Sequence, residues 1–325
     1  MSTHTDITQG HLRVSRAATS AGRQRGVAVV TAMLVVALGT LIAVNLMWNA
    51  TLDQRRTLAA IASDQGLLYL QSAEAWAGDI LRQDLVDSPD ADHLGEQWAI
   101  ELPPLPVEAG TIAGRLEDLQ GRFNLNNLIG RNGREDPIAV AQFERLLALV
   151  GLDPTLAGAV VDWIDADVEP RFPNGGEDGA YADAEPQYRT ANTLLTSASE
   201  LMAINGFDLS AYRALAPYVT ALPPGTSINV NTAPPLVLQS LSETMDAAVV
   251  ERLVDERADL GFEDIDASFR GLVEPEMLQR IDAVTSYFLL TATVQLGTTQ
   301  LTMRSVLQRD PSGLTRALFR NLGVE

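Results

Sequence analysis

Eight carboxylates crowd residues 162–188 (DWIDADVEPRFPNGGEDGAYADAEPQY): Asp162, Asp165, Asp167, Glu169, Glu177, Asp178, Asp183 and Glu185, against the single arginine Arg171. Like charges held this close in an ordered loop repel one another unless a counter-charge sits among them. Calcium does this with about 6–8 oxygen ligands at about 2.3–2.6 Å, backbone carbonyls included. Asp165-x-Asp167 offers alternate carboxylates at the end of a predicted helix, and Gly175-Gly176 permits a turn that returns Glu177 and Asp178 towards them. Glu200, in the segment that follows, can close the site. The candidate Ca2+ ligands are therefore Asp165, Asp167, Glu177, Asp178 and Glu200. Mg2+ suits the stretch less well because it keeps waters and strict octahedral geometry. The D-x-[DN]-x-[DN]-G spacing of an EF-hand is missing. A solvated acidic loop without an ion is the plain alternative.

Other chemistries fit poorly. Paired acids serve glycosidases and phosphatases when they stand about 5–10 Å apart across a cleft, but no histidine, lysine or G-x-S-x-G motif accompanies these. The chain reads as a non-enzyme with no catalytic residues. It has no cysteine, and His4, His11 and His93 are scattered, which removes zinc and thiol chemistry. A net charge of -19 and a pI near 4.5 repel phosphate backbones and anionic lipid, and no basic patch offsets them.

The elements that must position the acidic loop are helical, and they carry an internal echo. GRFNLNNL from Gly121 precedes apolar helical segments at residues 143–152 and 157–165. SINVNTA from Ser227 precedes residues 236–241 and Ala247–Glu256. Each copy reads N-hydrophobic-N, an apolar helix, a tight link and a second amphipathic helix. The second copy resembles helix-hairpin-helix or SAM-like modules, which raises DNA binding as an alternative. Its link, Ser242-Glu243-Thr244-Met245-Asp246, is acidic and glycine-free, whereas a DNA hairpin presents glycine-backbone N–H groups and basic residues to phosphate. The module reads as a scaffold for packing or partners, with no nucleic acid.

Strands flank this helical middle on both sides. Residues 98–102 and 111–118 read as short strands separated by turn-rich PPLPVEAG, and Tyr287–Leu296 with residues 300–308 read as a hairpin around Gly297-Thr298-Thr299. Strands drawn from both ends of a chain make one α+β unit with the helical middle inserted. Ahead of them, residues 27–48 (VAVVTAMLVVALGTLIAVNLMW) run uncharged for 22 residues, enough at about 1.5 Å per residue to cross a hydrocarbon core of about 30 Å. Arg13, Arg16, Arg23 and Arg25 precede this span against Asp6 alone, which places the N-terminus in the cytoplasm and the rest across the membrane. The helical pattern then continues towards Pro89, one helix of about sixty residues, with two helices broken near Gly66 as the alternative.

A basic leader, Arg25-Gly26, and an apolar helix starting at Val27 resemble the class III signal of type IV pilins and type II secretion pseudopilins. The resemblance implies cleavage between Gly26 and Val27 by prepilin peptidase, with an ordinary signal anchor as the alternative. Most members carry glutamate at the fifth mature position, where this chain has Thr31. Such a carboxylate is thought to pair in the membrane with the amine of the preceding subunit, because unpaired it is costly there. Thr31 therefore fits a subunit assembled first, and the family's K-type minor pseudopilin is the member lacking that glutamate.

Leader, Thr31, long helix, D-W-I-D-A-D with its Gly-rich acidic loop, INVNTAP and terminal hairpin together resemble the K-type over nearly the whole chain. The resemblance implies a pilin-like α+β fold, a long N-terminal helix on a small antiparallel sheet, with an inserted all-α, SAM-like or helix-hairpin-helix-like domain. It implies a leader at 1–26, a transmembrane part at 27–48, helix and first strands at 49–122, the inserted domain at 123–222, and a second SAM-like module with the C-terminal strands at 223–325. K-type members are described as binding calcium in the helical domain. Implied partners are I- and J-type minor pseudopilins, further tip pseudopilins, prepilin peptidase and the inner-membrane assembly platform. The implied place is the bacterial inner membrane, single-pass with a periplasmic globular region, and then the pseudopilus tip from which folded proteins are exported. A minor pilin of a related type IV filament is the alternative.

Overall fold

The computed structural model describes residues 23–323 except 102, 174, 184 and 259. Residues 1–22 of the leader, with His4 and His11, lie outside the described residues. The chain divides into two compact units, Met1–Ile61 and Ala62–Glu325. Helix α1, Arg23–Asp87, is one uninterrupted helix of 65 residues. In the first unit its apolar stretch is exposed along its whole length from Val27 to Trp48, long and apolar enough to cross a membrane. Gly66 does not break it. A Cβ there would stand 2.6 Å from Leu301 Cδ1 and 3.2 Å from Val294 Cγ1, so the helix passes close against the sheet at this glycine.

The sheet is antiparallel throughout, in the order β1-β2-β7-β8-β9. Its strands are β1 (Leu105–Val107), β2 (Gly110–Asp118), β7 (Tyr287–Leu296), β8 (Thr299–Arg309) and β9 (Thr315–Leu322). Strict alternation along β7 buries Phe288, Leu290, Ala292, Val294 and Leu296 on one face. That face packs with Leu70, Ala77 and Leu81 of α1. A sheet with one buried face needs just this period of two.

Four local expectations are corrected. Residues 98–101 are not a strand: Gln97–Ala99 form a 3-10 turn whose Trp98 is buried edge-on against Phe288, with ring centroids 5.2 Å apart. Residues 105–107, read as turn, form the edge strand β1, and the true turn is Glu108-Ala109, with Ala109 at φ 67°. The terminal hairpin turns on two residues, because Thr299 already pairs with Leu296 and Gly297 takes φ 57°. β9, unanticipated, closes the far edge; it carries a bulge opposite Val306/Leu307, which breaks the alternation a sequence reading looks for.

Between β2 and β7 the chain makes its helical excursion. Its helices are α2 (Pro137–Leu149), α3 (Leu156–Ile164), α4 (Leu209–Leu215), α5 (Pro235–Ser240), α6 (Ala247–Glu256), α7 (Ile265–Phe269) and α8 (Pro275–Leu278). Short parallel strand pairs close each half at its base: β3 (Phe123–Asn124) with β4 (Val219–Thr220), and β5 (Ile228–Asn229) with β6 (Ile281–Asp282). The echoed asparagines hold these bases. The Asn126 carboxamide receives Leu195 N–H at 2.8 Å and donates to the Leu195 and Leu222 carbonyls, both at 2.9 Å. Asn231 does the same with Phe262 N–H at 2.6 Å and the carbonyls of Phe262 and Ala283 at 3.1 and 3.3 Å. The apolar core runs unbroken from Phe123 to Ile281 across both halves. In the α5–α6 link, Met245 N–H and Asp246 N–H donate back within the loop, and Asp246 caps α6 through Val249 N–H at 2.9 Å.

Candidate metal centre

Helix α3 delivers the first acids. It is buried from Ala157 to Ile164, and its last turn carries Asp162, 1% exposed, with Asp165 as the C-cap residue. Asp162 Oδ2 accepts the backbone N–H of Arg171 at 2.9 Å, which folds the outgoing chain back over the helix end. The fold-back needs a glycine: a Cβ on Gly175 would lie 2.2 Å from Asp162 Oδ2 and 2.3 Å from the backbone N and O of Arg171. The returning chain then brings Glu177, 8% exposed, over the helix end.

One oxygen each from Asp165, Asp167 and Glu177 lies within 4.8 Å of the other two. Two calcium–oxygen bonds of about 2.4 Å on opposite sides of one ion span about that distance. Burial, then the charges of Asp167, Asp162 and Glu177, push the Asp165 carboxyl up to about 6. Burial, joined by the charges of Asp162, Asp167 and Asp178, also raises Glu177, and burial raises Asp162. The Arg171 guanidinium pairs with Glu135 at 2.8 Å, and its charge offsets only part of the rise at Asp162.

The donor set fits a hard cation on an observation independent of charge. Asp165 Oδ1, Glu177 Oε1 and Asn192 Oδ1 are all buried with no hydrogen-bond partner. Buried acceptors are ordinarily satisfied, and these three orphans in one neighbourhood are oxygens that a hard cation would satisfy. Asn192 was not foreseen. It sits at φ 45°, a backbone region asparagine tolerates, and its Nδ2 donates to the Asp167 carbonyl at 3.2 Å. No sequence signal joins it to acids some 25 positions earlier.

Two predicted ligands do not join the cluster. Asp178 is engaged by Thr190 Oγ1 at 3.0 Å and by Arg189 at 3.7 Å. Glu200 Oε1 accepts Thr196 N–H and Oγ1–H, both at 2.7 Å, and Ser197 N–H at 3.0 Å. With Ser197 it forms a capping box on the 3-10 turn Ala198–Ala203. The Ser-x-x-Glu spacing was legible as a cap, and capping is where its carboxylate is spent.

At the other end of the chain, Gly26 has open space around it and Val27 is 64% exposed. Thr31 donates its hydroxyl to the carbonyls of Val27 at 3.1 Å and Ala28 at 3.0 Å. Its polar hydrogen is therefore satisfied inside its own helix.

A helix with an exposed apolar stretch at its start and an antiparallel sheet on its second half, with a helical insertion bearing a carboxylate cluster, defines a membrane-anchored, pilin-like subunit. The family models described as type II secretion system (T2SS), protein K match residues 121–224 and 228–279, the two halves closed by the paired asparagine bases. Type II secretion system protein K of Pseudomonas aeruginosa is 35% identical over 92% of this chain and 93% of its own length. The protein of that name from Aeromonas hydrophila is 31% identical over 89% of this chain and 94% of its own length. A chain from the crystal structure of the GspK–GspI–GspJ complex of the enterotoxigenic Escherichia coli type 2 secretion system matches with a TM-score of 0.75 and 27% identity, over 83% of this chain and 100% of that one. The chain belongs to the type II secretion system protein K family.

Proposed function

We propose that this chain is the minor pseudopilin that begins the pseudopilus tip, assembling with I- and J-type minor pseudopilins and then the other pseudopilins of the tip, for export of folded proteins across the outer membrane. The observation that carries the reading is the fold match over 83% of the chain to a protein K subunit solved together with GspI and GspJ. In this reading prepilin peptidase cuts between Gly26 and Val27, and α1 anchors the subunit in the inner membrane with its N-terminus cytoplasmic and the rest periplasmic. The inner-membrane assembly platform then lifts it out. Thr31 supports first place in that order, because a hydroxyl bonded to its own helix needs no amine from a preceding subunit. The work is assembly rather than catalysis.

The acidic loop serves that role as a calcium-held scaffold. Asp165, Asp167 and Glu177 would hold Ca2+, with Asn192 Oδ1 a further donor, in support of which stand the orphaned oxygens of Asp165, Glu177 and Asn192. Bound there, the ion supplies the positive charge the cluster lacks. The chain's own residues do the rest: Asp162 fixes the returning loop, and Gly175 makes room for it.

The test is co-expression of the full chain with the I- and J-type pseudopilins of the same system, followed by purification in detergent through a tag on this chain. Recovery of both partners in one complex is expected. Failure to retain either, with all three present in the membrane fraction, sinks the tip reading.

A further inference from the structure

A second group of carboxylates lies at the seam between helix and sheet, far along the sequence from the acidic loop. Asp84 is in the last turn of α1, Asp92 in the chain that leaves it, and Glu96 just before the turn that carries Trp98. They are 8%, 1% and 8% exposed, and one oxygen of each lies within 4.8 Å of the other two.

Among the described residues, the basic groups facing this trio are Arg309 and His93. Arg309, at the end of β8, reaches Asp84 Oδ2 at 2.9 Å through NH1, and Asp92 Oδ1 and Oδ2 at 2.5 and 2.7 Å through NH2. His93 Nε2 stands 3.8 Å from Glu96 Oε1, but its Nδ1 accepts Gly95 N–H at 3.1 Å. Fully ionised, three carboxylates against one guanidinium leave a buried excess of two negative charges. Such an excess is strongly unfavourable unless another positive group removes it.

The unfilled position is visible in Glu96. Its Oε2 is held by His93 N–H at 2.9 Å and by the Trp98 indole N–H at 2.7 Å. Its Oε1 is buried with no hydrogen-bond partner. Neighbouring contacts are complete by contrast: Asp92 Oδ2 takes Thr285 N–H at 2.7 Å, and the Asp92 carbonyl takes Asn229 Nδ2 at 3.0 Å. The donors are all oxygen, which excludes soft metals and suits a hard divalent ion of the calcium class.

We infer that Asp84, Asp92 and Glu96 form a second hard-cation site, which takes one Ca2+-class ion beside Arg309. The ion would tie the end of α1 to β8 and to the point near Thr285 where the helical insertion re-enters the sheet. This site is independent of the loop site, since it shares no residue with it.

The experiment uses the full chain in detergent with the loop site disabled by Asp165→Asn, Asp167→Asn and Glu177→Gln. Ca2+ content is read by equilibrium dialysis and metal analysis, and Tb3+ serves as a luminescent probe excited through tryptophan. One Ca2+ equivalent is expected to remain, and bound Tb3+ is expected to luminesce on tryptophan excitation. Adding Glu96→Gln lowers the remaining affinity at least tenfold. No bound Ca2+ in the loop-disabled chain overturns the site, whether or not Glu96→Gln folds. So does a melting temperature that responds to acid but not to Ca2+, because protons then remove the excess charge. Were the loop reading wrong and this one right, the intact and loop-disabled chains would both bind one equivalent.

Discussion

Gly175 sets how closely the acidic loop can return onto the end of α3. The atoms a new Cβ would meet at 2.2–2.3 Å include the backbone of Arg171 as well as the Asp162 carboxylate, so relief requires the loop itself to move. Gly175→Ala should destabilise the chain by about 1–3 kcal/mol in denaturant titration, the usual penalty of overpacking. It should also weaken loop-site Ca2+ binding more than tenfold, since Glu177 is carried by the displaced segment. Unchanged affinity would detach the glycine from the site. At this scale the sequence was a good guide to acids and a poor one to geometry. Asp165, Asp167 and Glu177 were legible because charge density needs no fold to be seen. Asn192 and the diversion of Glu200 into a cap depend on where a neighbouring turn places its backbone.

Between elements, the long helix and the last strand meet through one carboxylate. Glu74 of α1 receives Arg320 Nε at 2.8 Å and NH2 at 2.7 Å, and Ser305 Oγ at 2.7 Å. Hydrogen bonding to Arg320 holds its carboxyl below the ordinary glutamate value, with burial working against it. A charge-assisted pair of this kind contributes about 1.5–3 kcal/mol when buried, and Arg320 is 54% exposed, so screening reduces it. Glu74→Ala should cost about 1 kcal/mol in global stability and speed hydrogen exchange in β9 above all. Uniform exchange across the sheet would show that β9 is held by its ladder with β8 alone. Long elements were read well: α1, Ala247–Glu256 and Tyr287–Leu296 fall where their periodicity put them, because each carries many repeats of its period. Residues 98–101 and β1 were misread, and β9 was missed, because short segments are decided by the surface they land on, as Trp98 is by Phe288.

At the scale of the whole molecule, burial raises carboxyls among the described residues above their ordinary range, Asp84 to about 7, Asp118 to about 6 and Asp165 to about 6. A raised carboxyl binds its proton more tightly in the folded chain than in the unfolded one. Stability of the cation-free chain therefore falls as pH rises from about 4 to about 7 and levels off above that. Glu74, held low, acts only below its ordinary value of 4.5. Bound at the proposed sites, calcium would reverse the trend, because its ligands must be deprotonated, and at a hundredfold excess over Kd it would add about 2.7 kcal/mol. In chelator, the melting temperature should rise on going from pH 7.5 to 5.5; with Ca2+ the gain should be largest at pH 7.5. Melting indifferent to Ca2+ at both pH values would remove the ion from the stability of the fold.

The sequence by itself determined the apolar span and its uncharged length, the carboxylate density, the repeat with its asparagines, and the α+β class. All of these are set by local composition and period. Only the tertiary structure decided which acids share a centre, because a ligand shell is assembled from distances between segments that no spacing encodes. It also decided that Asp84 and Asp92 meet Arg309, with Glu96 beside them. These residues lie as many as 225 positions apart in sequence and become neighbours only when α1 is laid against β8.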